Sequence, residues 1–281
     1  MGSNRQRVQS RITRMNGPQV SILNKGGHIT QWQPFDQPSG VLFCSALADL
    51  HGPKAVRGGI PVCWPWFGPR QGHAQHGFVR TMPWQMESYR ECEGVVYCTM
   101  VINSSEDTFA LWPYRWKLEL KVAASNSIMD ISLISHNLGQ SSMPVTQALH
   151  TYFAVGDIHC AVIEGLQGKR YIDKTRAGQE FEQLGDLMIA EETDRIYLHT
   201  RAAKLVDPVY NREIEIVSEG GNAMVVWNPW EEKCKTISDL NPSDYSHFVC
   251  IESACTPESL DLLPGQHHEL NMRIKVNSFV K

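Results

Sequence analysis

Two ionisable side chains occupy strand-like segments in which such groups are uncommon. His150 lies in the apolar and β-branched run "VTQALHTYFAVGD", and Glu252 interrupts the apolar run "HFVCIESAC". An imidazole with an ordinary pKa of about 6.5 can donate a proton near neutral pH, and a carboxylate in apolar surroundings can accept one. The two residues could therefore form a general acid and a general base. Each also has a plainer interpretation: His150 as a hydrogen-bonded core histidine, Glu252 as a strand residue that alternates outward to solvent.

A second group of candidates lies in segment 50–86, which contains no aspartate or glutamate although the chain is acidic overall. With 30 acids in 281 residues, these 37 positions should hold about four. Arg57 precedes Gly58-Gly59, where the backbone can approach a ligand closely, and Arg80 ends the motif "QHGFVR". Arginine forks match phosphate oxygens, so the segment predicts a local anion site. The alternative is that both arginines are ordinary surface residues.

Three further motifs are less specific. Trp64, Trp66 and Phe67 could line a sugar site, because aromatic faces suit sugar rings, or they could fill a core. The "HAQH" spacing resembles a pair of metal ligands, but no third ligand accompanies it, so no metal is expected. Asp194 and Arg195, within "ETDRIY", are typical of a surface ion pair.

Strand patterns dominate the chain that must position these residues. Period-two alternation is clearest in "WKLELKVAA" and "HELNMRIKVNS". It recurs more weakly in "GVVYCTMVIN", "SIMDISLISHNL", "DIHCAVIEGL", "REIEIVSEG" and "AMVVWNP". Helical spacing is scarce: "QEFEQLGDLMIAEE" predicts a loop or a short helix, because Gly185 interrupts it. Without a linker or a repeat, residues 1–281 are predicted to form one all-β domain, an antiparallel β-sandwich.

Composition excludes several classes of protein. Lysine and arginine total 26 and aspartate and glutamate 30, a formal net charge of −4, so no general basic field for nucleic acid exists. No apolar run reaches about 18 residues, and the polar, basic start lacks an apolar signal segment, so neither a membrane span nor secretion is expected. The eight cysteines are scattered without a C-x-x-C pair, which is typical of reduced thiols and predicts a cytoplasmic location.

Seven motifs, taken in order, resemble those of the hexose-6-phosphate mutarotases, or glucose-6-phosphate 1-epimerases, a branch of the aldose 1-epimerase superfamily. They span roughly residues 57–255 and read "RGGIPVCWPWFGP", "QHGFVR", "LHTYFAVGDI", "GLQGKRYIDK", "ETDRIY", "VVWNPW" and "DYSHFVCIESA". The histidine motif of free-sugar epimerases typically runs His-x-Tyr-Phe-Asn, whereas here Ala154 follows Phe153, as in the phosphate branch. The resemblance therefore favours a phosphorylated substrate.

This resemblance implies a large antiparallel β-sandwich of the galactose-mutarotase type. The implied reaction interconverts the α and β anomers of an aldohexose 6-phosphate, above all glucose 6-phosphate, and needs no metal or organic cofactor because it has no redox or hydride step. A monomer is expected, and the composition predicts that it binds no nucleic acid and no membrane. The implied roles are catalytic acid for His150, catalytic base for Glu252, sugar binding for His76 and Asp194, and phosphate binding for Arg57, Gln75 and Arg80. The alternatives are a carbohydrate-binding module without catalysis, a free-aldose 1-epimerase, and a glycoside hydrolase that uses two carboxylates.

The mechanism that follows is acid/base opening of the sugar ring. Glu252 would remove the proton of the anomeric hydroxyl while His150, as an imidazolium, protonates the ring oxygen and the C1–O5 bond breaks. Rotation about C1–C2 then presents the other carbonyl face, and the two residues exchange roles as the ring closes. Ordinary pKa values of about 4.3 and 6.5 would allow a charged base and a charged acid together near neutrality.

Overall fold

The computed structural model describes residues 9–12 (backbone only), 17–37 and 39–279. Strands make up about half of these residues. In chain order they are β1 (Gln9–Ile12), β2 (Gln19–Leu23), β3 (His28–Gln33), β4 (Val62–Cys63), β5 (Gln85–Cys92), β6 (Val95–Asn103), β7 (Trp116–Ala124), β8 (Ile128–Asn137), β9 (Met143–Leu149), β10 (Tyr152–Ala154), β11 (Val162–Glu164), β12 (Arg170–Asp173), β13 (Gln179–Glu182), β14 (Thr193–Leu198), β15 (Ala202–Asp207), β16 (Arg212–Glu219), β17 (Ala223–Asn228), β18 (Phe248–Leu262) and β19 (His267–Ser278).

Helices are few and short. The described residues form two α-helices, α1 (Glu106–Leu111) and α2 (Trp230–Cys234), and 3-10 turns at Val79–Thr81, Lys174–Arg176 and Asp244–His247. None of the helices in the described part of the chain combines the length and the apolar character that a membrane crossing requires.

Two eight-stranded antiparallel sheets pack face to face. The first, here called the site sheet, has the order β13-β12-β14-β17-β18-β9-β4, with β10 also paired to β18. The second sheet has the order β11-β15-β16-β19-β8-β7-β6-β5, and β1, β2 and β3 form a small third sheet. One buried apolar core joins the two large sheets, with Ile251 and Val226 from the site sheet and Leu118, Leu133 and Ile274 from the second. The predicted all-β antiparallel sandwich is confirmed.

The strand predictions hold where alternation is clear. In β7 the apolar Trp116, Leu118 and Leu120 are buried, while the residues between them are partly exposed. The helical alternative for residues 179–192 is wrong: Gln179–Glu182 forms the edge strand β13, paired with β12, and the rest has no regular structure. The side chains of this edge strand are mostly exposed, so its sequence shows no apolar alternation. Backbone hydrogen bonds to β12 hold it in the sheet.

Candidate active site

The candidate site lies on the face of the site sheet that points away from the core. In β18, Val249 and Ile251 belong to the core, so strand alternation turns Cys250 and Glu252 to the opposite face. This outer face is nevertheless buried, and Phe67, from the segment after β4, packs against it. Its small apolar residues, here called the floor, are Cys63, Ala148, Ala223, Val225 and Ala254, of which Val225 lines the cavity itself.

A cavity of about 260 Å³ opens above this floor. Its volume lies below the range of about 300–1,000 Å³ typical of drug-sized ligands, so it suits a single small ring. It is lined by all seven residues to which the resemblance gives roles and by seven others: Arg57, Gln75, His76, Arg80, His150, Asp194 and Glu252, then Phe67, Tyr152, Lys174, Val225, Trp227, Lys233 and Ile237.

A larger groove, of about 720 Å³, crosses the outer face of the second sheet. Its charged side chains are largely satisfied, as in the paired contacts of Arg273 with Asp130 at 2.6 and 3.0 Å, and Arg90 lies over the Tyr97 ring at 3.9 Å. It contains no buried ionisable pair, and we therefore place the chemistry in the smaller cavity.

His150 and Glu252 meet at the base of the smaller cavity. Nε2 of His150 lies 3.4 Å from Oε1 of Glu252, and both residues are almost fully buried, at 8% and 1% exposure. Their other polar atoms, Nδ1 and Oε2, are buried without a hydrogen-bond partner among the described residues. Since buried polar atoms are rarely left unpaired, these atoms are available to a ligand.

Burial shifts the two pKa values in opposite directions. Loss of water, followed by the nearby Asp194 carboxylate, raises the pKa of Glu252 well above its ordinary value. Loss of water, followed by His76, Arg80 and Arg57, lowers the pKa of His150 well below its ordinary value. Both shifts oppose the charged acid and charged base expected from ordinary pKa values. They favour a protonated carboxyl group beside a neutral imidazole.

This proton distribution predicts how stability depends on pH. In the unfolded chain Glu252 and His150 have pKa values of about 4.3 and 6.5, so above about pH 6.5 only the folded protein keeps a proton on the pair. Its stability therefore falls as the pH rises, until the buried carboxyl group ionises. Glu252→Gln removes this loss, and its gain in melting temperature should be larger at about pH 8.5 than at about pH 6.5.

Thermal unfolding followed by circular dichroism at both pH values checks this prediction. His150→Asn is the matched control, because the lowered pKa of His150 destabilises the folded protein only below about pH 6.5. A gain from Glu252→Gln that is equal at both pH values would contradict the raised carboxyl pKa.

The His76 ring lies over the pair as a neutral hydrogen-bond donor. Its Nδ1 accepts the Gly68 backbone N–H at 3.1 Å, which leaves the proton on Nε2. Burial, aided by Arg80 and Lys174, lowers its pKa to about 3. The backbone of His76 is left-handed, with φ of 61°, and its ring contacts that of His150 at 5.5 Å. The geometry allows Nε2 to donate to a ligand hydroxyl.

Asp194 is a cavity residue, so the interpretation of Asp194 and Arg195 as a surface ion pair is wrong. Adjacent residues of β14 point to opposite faces, and Arg195 turns to Asp173, at 3.5 Å, while Asp194 pairs with Lys174 at 3.2 Å. Burial raises the pKa of Asp194, and Lys174 opposes that shift. Lys174 comes from the 3-10 turn after β12 and leaves Asp194 able to accept bonds from sugar hydroxyls.

Arg57 and Arg80 form one wall of the cavity. The Arg57 guanidinium donates from Nε to Asp239 and from Nη1 to the Tyr152 hydroxyl, both at 3.0 Å. The Tyr152 ring in turn stacks on that of His150 at 5.0 Å and 12°. Among the described residues Arg80 donates only to the Gln75 carbonyl, at 2.6 Å, which leaves most of its donors available. The remaining expected phosphate residue, Gln75, is exposed at the cavity rim.

Sequence reasoning missed several lining residues. Lys174, Tyr152 and Trp227 lie inside the quoted motifs, "GLQGKRYIDK", "LHTYFAVGDI" and "VVWNPW", but no spacing marked them as site residues. Lys233 also lines the cavity, and Asp239 pairs with Arg57 in its wall. No quoted motif contains either residue, because their positions depend on how α2 and the following loop pack. Of the three aromatic candidates, Trp64 is fully buried in the core, Trp66 is also buried, and Phe67 lines the cavity.

A β-sandwich whose outer sheet face holds a buried histidine–glutamate pair in a small polar cavity is suited to proton transfer on a small ligand. The comparisons identify its family. The family model described as aldose 1-epimerase matches residues 9–275, so the chain belongs to the aldose 1-epimerase family. It is an epimerase that interconverts sugar anomers, on a sandwich of the galactose-mutarotase type.

Three similar proteins illustrate the relationship. Proteins of Cenchrus ciliaris and Escherichia coli K12, each named "Putative glucose-6-phosphate 1-epimerase", are 33% and 34% identical to this chain. The matches cover 88% and 92% of this chain and 78% and 88% of those proteins. A Salmonella typhimurium crystal structure described as "a putative mutarotase" superposes with a TM-score of 0.88 at 30% identity, over 96% of this chain and 94% of that one.

Proposed function

We propose that the substrate is an aldohexose 6-phosphate, with glucose 6-phosphate foremost. The observation that carries this proposal is the wall formed by Arg57 and Arg80 beside the acid/base pair, in the same cavity. A phosphomonoester carries about −1.5 to −2 charge at pH 7, which a neutral hexose lacks, and guanidinium groups match its oxygens. The names of the curated relatives support the same substrate.

The proposed reaction needs no net exchange of protons with water. His150 and Glu252 hold one proton between them, and its shift from Oε1 of Glu252 to Nε2 of His150, 3.4 Å apart, converts the neutral pair into the charged pair. In the charged form Glu252 takes the proton of the anomeric hydroxyl, His150 protonates the ring oxygen, and the C1–O5 bond breaks. The pair is then neutral again and ready to run the reverse steps on the other carbonyl face.

Neighbouring residues would orient the sugar for these transfers. His76 donates from Nε2 and Asp194 accepts, so together they can hold adjacent hydroxyls of the ring. Phe67 and Trp227 provide apolar surface on the cavity wall. The phosphate, bound away from C1, supplies affinity that fixes the reacting carbon above the pair.

Two-dimensional exchange NMR of the anomeric protons tests the proposal. We expect kcat/KM for glucose 6-phosphate to exceed that for glucose and galactose by at least about 10²-fold, because two arginine–phosphate contacts are absent from the neutral sugars. Equal or faster exchange of galactose would assign the enzyme to free aldoses instead. Rates are corrected for uncatalysed mutarotation in the same buffer.

A further inference from the structure

A second cavity, of about 360 Å³, lies on the other side of the Arg57–Arg80 wall. It shares Arg57, Arg80 and Tyr152 with the candidate active site, so the two cavities meet at these side chains. Its other lining residues are Pro53, Lys54, Ala55, Val56, Pro61, Ala74, Gly77, Thr81 and Asp239. Neither His150 nor Glu252 lines it, so any ligand group there is remote from proton transfer.

The charges of this second cavity match a dianion. Three cations, Lys54, Arg57 and Arg80, and one carboxylate, Asp239, give a formal sum of +2. In the active-site cavity the other charges cancel locally: Lys174 pairs with Asp194, and Lys233 with Glu192 outside it. The positive excess therefore lies at the shared wall and beyond it, on the Lys54 side.

Lys54, like Arg80, has no partner among the other side chains of this group. Within residues 9–12, 17–37 and 39–279, its ammonium group has no ion pair or hydrogen bond, although its backbone N–H donates to Asp49 at 3.1 Å. Arg57, in contrast, already pairs with Asp239 at 3.0 Å. Asp239 cancels part of the charge of Arg57. A further cation is therefore needed to balance the second charge of a dianion bound at the Arg57–Arg80 wall.

We propose that Lys54 is a specificity-determining residue that, with Arg57 and Arg80, binds the phosphoryl group of the substrate in the second cavity. This inference rests on the proposed function. It places the C6 end of the sugar at the arginine wall and C1 at the acid/base pair. Lys54 recognises the second negative charge of the phosphoryl group, so it separates a phosphate dianion from a singly charged ester of similar shape.

The test compares Lys54→Gln with wild type on glucose 6-phosphate, glucose 6-sulfate and glucose, with anomer exchange as the readout. We expect KM for the 6-phosphate to rise about tenfold with kcat nearly unchanged, since one charge-assisted contact is lost remote from C1. The 6-sulfate, a monoanion, should lose less, and glucose should lose nothing. Lys169→Gln, which alters an exposed lysine outside both cavities, is the matched control and should behave as wild type.

The outcomes separate the two proposals. If wild type prefers the 6-phosphate but Lys54→Gln keeps the kinetics of Lys169→Gln, the role of Lys54 is wrong while the proposed function stands. An equal loss of activity on glucose and on glucose 6-phosphate would likewise overturn the role of Lys54, because such a loss would show a general structural effect of the substitution. If wild type shows no preference for the 6-phosphate, the proposed function itself fails.

Discussion

Glu252→Gln and His150→Asn should each lower kcat for anomer exchange by about 10²- to 10⁴-fold, the usual contribution of one positioned proton transfer. Glutamine keeps the size of the glutamate side chain but can no longer pass a proton, and asparagine has no titratable group in place of the imidazole. KM should change little, because neither group is proposed to bind the phosphate. Exchange NMR with glucose 6-phosphate measures both constants.

The double variant distinguishes a coupled pair from two independent catalysts. Because both transfers occur around one C1–O5 bond, loss of either partner should disable most of the step, and the double variant should be only slightly slower than the worse single variant. His268→Asn is the control for histidine loss, since His268 is partly buried in the described structure but does not line the cavity. A single variant with full exchange would refute the role assigned to that residue.

Burial disfavours the charged form of the His150–Glu252 pair. An ionised carboxylate without a partner is unfavourable in a buried site, and Oε2 of Glu252 has no hydrogen-bond partner among the described residues. In the proposed mechanism the pair would stay neutral until a sugar supplies partners for its unpaired atoms. Binding of the ring would then stabilise the charged form and couple proton transfer to substrate binding.

Strand alternation predicted much of the second sheet, because β7, β8, β16 and β19 bury one face and leave the other partly exposed. It explained β18 less well. The run "HFVCIESAC" is apolar on both faces. Ile251 faces the core between the sheets, while Cys250 and Ala254 belong to two smaller apolar clusters on the opposite face. From the sequence, an outward Glu252 could equally have been solvated. Only tertiary packing against this face, to which Phe67 contributes, makes it a buried carboxyl group.

The acid-free segment was informative but incomplete as a prediction of an anion site. It correctly marked Arg57 and Arg80 as neighbours on one cavity wall. It could not reveal that Asp239, 182 residues from Arg57 in the chain, returns a carboxylate to that wall. Local composition cannot describe such a contact, because the loop after α2 is positioned by the tertiary packing of Leu240 and Tyr245 against Phe248.

Among substitutions at the Arg57–Arg80 wall, we expect Arg57→Gln to lower activity most, because of the neighbouring Asp239. The substitution removes a guanidinium and leaves the Asp239 carboxylate, which lies 3.0 Å from Arg57, unpaired beside the phosphate. It also removes the hydrogen bond to the hydroxyl of Tyr152, whose ring stacks on His150. We expect kcat/KM for glucose 6-phosphate to fall by about 10²-fold or more, against about tenfold for Arg80→Gln, which leaves no carboxylate unpaired.

A second substitution isolates the electrostatic part of this loss. In the Arg57→Gln background, Asp239→Asn removes the repulsive carboxylate and should recover about tenfold in kcat/KM for glucose 6-phosphate, chiefly through KM. Free glucose, which has no phosphate to repel, should show no recovery. If the double variant is no faster than Arg57→Gln alone, Asp239 does not act on the phosphate and the loss arises from Tyr152 and His150. Recovery confined to the phosphorylated sugar would show that one arginine both binds the anion and neutralises the carboxylate beside it.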